Sequence, residues 1–119
     1  MKTLAIAISL AALAGCAISP QEVVEHGTRF TGNIKGTPIE AARCVARNAE
    51  YTSGSVIATA SEIDAGAAET IIRGTIELTT TLSVWRFRAA DAGSTFEVWV
   101  SHTMLTGTES HVQDMRGKC

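Results

Sequence analysis

Three cysteines, Cys16, Cys44 and Cys119, and three histidines, His26, His102 and His111, are the side chains of this 119-residue chain best suited to covalent or metal chemistry. Their spacing narrows the options. There is no C-x-x-C pair and no repeated Cys/His interval, so neither a dithiol redox motif nor a zinc-binding pattern can be built, and no metal site is expected. H-E-x-x-H, G-x-S-x-G and a Gly-rich phosphate loop followed by Lys are missing as well. A minor hydrolase would have to use His102 and Asp91. His102, at the end of a strand and on its apolar side, reads instead as a partly buried, hydrogen-bonded imidazole. His111 stands near Glu109 and Asp114 and offers only a weak surface contact to a metal. No catalytic residue and no cofactor is expected.

Cys16 closes a different kind of pattern. Met1-Lys2-Thr3 is a short basic start, and Leu4 to Leu13 is an apolar run too short to span a bilayer core as a helix, which takes about 20 residues. It has the form of a signal peptide. The run ends in Leu13-Ala14-Gly15-Cys16, which resembles the lipobox of bacterial lipoproteins over residues 1 to 16. The resemblance implies that Cys16 carries a diacylglycerol, that the leader is cut just before it, and that the new amine is acylated. Two or more acyl chains make a stable anchor where one is marginal. Inner-membrane lipoproteins of enterobacteria typically carry Asp where Ala17 stands, so the resemblance implies the outer membrane, with the domain facing the periplasm or the cell surface.

With Cys16 withdrawn from the thiol pool by that resemblance, Cys44 and Cys119 remain. An even pair in an exported, oxidising compartment is expected to form a disulfide. A redox pair or metal ligation are the alternatives. The loop closed from 44 to 119 is long, worth about 4 to 5 kcal/mol in the chain-entropy treatment.

The elements that would position these groups can be read from periodicity. Ala17 to Gly36 is polar and punctuated by Gly27, Gly32 and Gly36, as expected of a tether from residue 16 to 36. "TPIEAARCVARNAE" is the clearest helix. Thr37 is its N-cap, Pro38 its first residue and Glu40 the partner in a capping box. Ile39, Ala41, Ala42, Val45, Ala46 and Ala49 share one arc, with Cys44 on the flank, where a strap formed by the carboxy-terminal tail could reach it. "SVIATASEID" and "AETIIRGTIEL" form a hairpin across Asp64-Ala65-Gly66, and "TLSVWRFRA" and "STFEVWVSHT" form a second around Asp91-Ala92-Gly93. The expected fold is α+β: one helix on a four-stranded antiparallel sheet over residues 37–119, with a tail stapled to the helix. Residues 105–119 are left unassigned.

The second hairpin carries the candidate binding face. An even-numbered loop puts Trp85, Phe87 and Ala89 on one face with Phe96, Val98 and Val100. Arg86, Arg88, Glu97 and Trp99 then share the other. An odd loop would mix apolar and charged residues on both faces. An exposed Trp among arginines is a common interface anchor, whereas a Trp shielded by an Arg stem or by the tail merely stabilises the sheet.

Composition excludes other classes. The net charge is −2, with no basic patch, so nucleic acid is not an expected partner. The expected function is that of a lipid-anchored envelope protein with a structural or protein-binding role. A small envelope inhibitor, of a hydrolase or of phage entry, is the alternative.

Overall fold

The computed structural model describes residues 18–74, 80–102 and 107–119. Their elements, in chain order, are α1 (Pro20–His26), β1 (Thr28–Ile34), α2 (Pro38–Thr52), β2 (Val56–Asp64), β3 (Ala67–Gly74), β4 (Thr81–Ala90), β5 (Gly93–Val100) and α3 (Thr108–Arg116). The fold is α+β, but one antiparallel sheet of five strands replaces the expected four, and three described helices replace one. The sheet order is β1-β5-β4-β3-β2. β1 lies at one edge, α2 crosses a face to the other edge, and the meander from β2 to β5 returns to pair with β1.

The extra strand and one extra helix lie where a tether was expected. α1 begins with Ser19 as N-cap, its hydroxyl accepting from the Glu22 amide at 3.2 Å, and Pro20 at the first turn. β1 then pairs along its whole length with β5, from Thr28 opposite Val100 to Ile34 opposite Ser94. The glycine that hides its alternation has a packing reason. A Cβ on Gly32 would stand 2.7 Å from the Phe96 ring, so glycine lets the core aromatic lie against the edge strand.

α2 starts as read, with the Thr37 hydroxyl accepting from the Glu40 amide and donating to the Glu40 carboxylate at 2.8 Å. Its small face, Ala41, Ala42, Val45, Ala46 and Ala49, is buried against the sheet. The approach is close enough for the buried Thr70 hydroxyl of β3 to donate to the Ala42 carbonyl at 2.7 Å. Beneath the helix, Trp85 stands opposite Val98 and Phe87 opposite Phe96. Trp85 and Phe96 have ring centroids 5.3 Å apart, in the range of favourable aromatic pairs. This is the even-loop register, with two residues between Ala90 and Gly93. Ala89, at the end of that apolar row, is exposed.

The opposite face of the sheet is shared between apolar and polar halves. α1 packs against β4 and β5 and buries Val23. Val84 of β4, which alternation turns away from Trp85, is also fully buried. The other half of this face carries the charged residues. The expected continuation of β3 through Thr75 to Leu78 lies outside the described residues, as do the whole leader and Cys16.

Candidate binding face

Arg86 and Arg88 project from β4, Glu97 and Trp99 from β5, and the structure brings all four to the sheet face opposite α2. Two further residues join them. Glu69 of β3 lies directly across from Arg86, and Arg29 of β1 directly across from Trp99. Arg86 Nε donates to Glu69 Oε2 at 3.2 Å, and Arg29 donates to Glu97 Oε2 from Nε at 2.8 Å and from Nη2 at 2.7 Å. Glu69, Arg86, Glu97 and Arg29 thus form a row of alternating sign across β3, β4, β5 and β1. Each exposed ion pair is worth no more than about 1 kcal/mol, so the row orders side chains more than it holds the fold. Arg29 is not legible as a member of this face because Gly27 and Gly32 interrupt the periodicity of its strand. Glu69 joins it only through the pairing of β3 with β4, which sets it opposite Arg86.

The Arg86 guanidinium stands over the Trp99 ring, 5.2 Å from its centroid, and leaves the indole half-buried. Arg86 is therefore fixed twice, by a carboxylate along its edge and by an aromatic ring beneath it. Arg88 is exposed and, among the described residues, makes no ion pair. Between these side chains, Thr95 and Glu97 lies an open depression of about 270 Å³.

The remaining candidates fall elsewhere. His102 is exposed, contrary to the partly buried setting expected of it, because β5 and its apolar row end at Val100. Asp91 sits at the opposite end of β5 from His102, roughly 25 Å away at 3.4 Å per residue, so the two do not form one site. His26 is exposed beside Glu25. No group of three His, Cys, Asp or Glu side chains among the described residues could hold a metal ion.

His111 overturns its surface assignment. α3 turns it into the interior, 3% exposed, where Nε2 lies 2.8 Å from the Ser83 hydroxyl. Ser83 also accepts from the Trp85 indole N–H at 3.1 Å. Burial lowers the His111 pKa from 6.5 to about 4, against a smaller opposing pull from Asp114 one turn along the helix. The imidazole is therefore neutral at pH 7, and the simplest assignment has Trp85 donating to Ser83 and Ser83 donating to His111. Ser83, His111 and Asp114 superficially form a hydrolase trio. Ser83 is fully buried and its hydroxyl already bridges two partners, so the trio as it stands joins α3 to the core.

The tail is joined to α2 on the flank where Cys44 was placed. Cys44 and Cys119 form a disulfide across 75 residues of chain. One turn further along α2, Asn48 Nδ2 donates to the carbonyls of Met115 at 3.2 Å and Arg116 at 2.9 Å, capping the end of α3. Gly117 turns the chain there with φ +52°, and a Cβ on it would meet the Asn48 amide at 2.7 Å. Arg116 reaches the Asn33 carbonyl on β1 and stacks 5.4 Å over Phe96.

No family model, no curated protein and no solved structure matches this chain. The class its own geometry defines is an α+β domain with a disulfide-tied carboxy-terminal helix and a charged, aromatic sheet face.

Proposed function

We propose that this chain is a lipid-anchored protein of the bacterial cell envelope, held at the outer membrane through Cys16, whose charged sheet face binds another envelope protein. The basic start, the short apolar run and the lipobox support the anchor. The Cys44–Cys119 disulfide supports an oxidising compartment. The observation that carries the binding role is the pairing of a half-buried Trp99 with a stacked, carboxylate-held Arg86 beside the unpaired Arg88. Trp and Arg dominate the energetics of protein interfaces, and side chains already ordered lose less freedom on docking.

Substituting Trp99→Ala in the full chain and capturing partners from solubilised envelopes tests the role. Loss of a specific captured protein at an unchanged melting temperature is the expected outcome, with Arg88→Ala weakening the same capture. Intact capture together with a lowered melting temperature would reduce Trp99 to a sheet stabiliser.

A further inference from the structure

We propose that two copies of this chain join through their β2 edges, antiparallel about a two-fold axis at Ala60, into one continuous ten-stranded sheet. The large hydrophobic side chains that stand exposed among the described residues are Tyr51 (94%), Ile57 (49%) and Ile63 (55%). Ile57 and Ile63 lie on the edge strand β2, and Tyr51 follows Glu50, whose carboxylate accepts from the Ala58 amide of that strand.

The two sheet edges are guarded differently. At β1, Arg116 occupies the Asn33 carbonyl and Arg29 adds a charge. β2, Val-Ile-Ala-Thr-Ala-Ser-Glu-Ile-Asp, has no Lys, Arg or Pro, and its guards, Glu62, Asp64 and a bulge between them, are confined to its carboxy-terminal end. One described contact covers its rim, the Ala58 amide donating to Glu50 Oε1 at 3.2 Å. That bond also shows which backbone groups face outward. By antiparallel alternation Val56, Ala58, Ala60 and Glu62 direct their N–H and C=O groups away from β3.

A second copy pairing through those groups can choose among a few registers, and side chains decide between them. An axis at Ala60 sets Ala58 of each copy against Glu62 of the other and Thr59 against Ser61, and brings Ile57 beside the bulged Ile63. Both exposed isoleucines are covered, and Glu62 faces an alanine. An axis at Glu62 opposes two like carboxylates, and an axis at Ala58 leaves Ile63 bare. An isologous contact of this kind needs one self-complementary strand, which β2 supplies. Glu50 competes for the Ala58 amide, which in the dimer donates to Glu62 of the second copy.

The test uses the full chain in membranes. Thr59→Cys lies on the exposed side of β2 next to the axis, and a short bismaleimide is expected to link it into a homodimer, whereas Thr31→Cys on the β1 edge is not. In mild detergent the chain should sediment as a dimer. Ile57→Asp should weaken association by at least roughly tenfold with the fold intact by circular dichroism, and Glu50→Ala should strengthen it. A monomer at every concentration, equal linking from Thr31→Cys and Thr59→Cys, or linking of Thr59→Cys to a different protein would each overturn the proposal.

Discussion

His111 shows how one buried side chain sets the response of this domain to acid. Its folded pKa, about 4, lies below the unfolded value of 6.5, so the unfolded chain binds the proton first as pH falls. Stability contributed by the neutral imidazole is intact above pH 6.5 and is lost progressively down to pH 4. The loss amounts to at most about 3 kcal/mol. Chemical denaturation across that window should show stability falling with pH in the wild type and a flattened slope in His111→Gln. An unchanged slope in the variant would contradict the assignment. The sequence could not have revealed this burial. Apart from His111, α3 buries only Val112 and Met115, and the polar neighbours Glu109 and Asp114 make the segment read as surface. The register of Trp85, Phe87, Phe96 and Val98 was legible because mixing Phe87 with Glu97 on one face has an obvious cost. The stacking of Arg86 on Trp99 follows from that register, whereas Arg29 could join the face only once its strand was known.

Among the elements, α1 and α2 open with the same pattern, Ser19-Pro20-Gln21-Glu22 and Thr37-Pro38-Ile39-Glu40, a capping hydroxyl followed by proline and an acidic residue three places on. The second was legible because apolar periodicity runs on from it, from Ile39 through Ala49. The first was not, because α1 spans 7 residues and buries only Val23. β1 was obscured by Gly32, whose missing side chain is required by Phe96 and weakens the alternation that would mark a strand. α3 illustrates an element formed by tertiary ties. Its N-cap is Gly107, with no side-chain hydrogen bond, and it spans 9 residues. A helix this short is marginal by itself. Its order depends on the disulfide, Asn48, His111 and Arg116. Cys119→Ser should therefore lower stability by about 2 to 5 kcal/mol, and amide exchange should rise first in α3. Asn48→Ala should cost about 1 kcal/mol and act on the same helix. Equal acceleration of exchange in α3 and β4 would show that the tie is not local.

At the scale of the whole molecule, the chain closes its sheet by returning β5 to β1, so both strands of the second hairpin lie inside the sheet and both free edges come from the first half of the domain. The tied tail reaches one edge at the Asn33 carbonyl, and the other carries Glu50 at the Ala58 amide and a bulge between Glu62 and Asp64. The charged face lies on β3, β4, β5 and β1, away from the β2 edge, so a dimer through β2 would leave both copies of that face open. The class, the helix and the disulfide were readable from periodicity and cysteine arithmetic. The fifth strand was not, because its partner residues on β5 lie 60 to 72 positions further along the chain, and no local pattern encodes that separation. The proposed anchor and compartment both depend on modification of Cys16. Intact-mass measurement of the protein extracted from membranes is the most direct test. The expected species begins at Cys16, carries a diacylglycerol and an amide-linked acyl chain, and is lighter by two hydrogens for the Cys44–Cys119 bond. An unacylated Cys16 inside an uncut leader would contradict it.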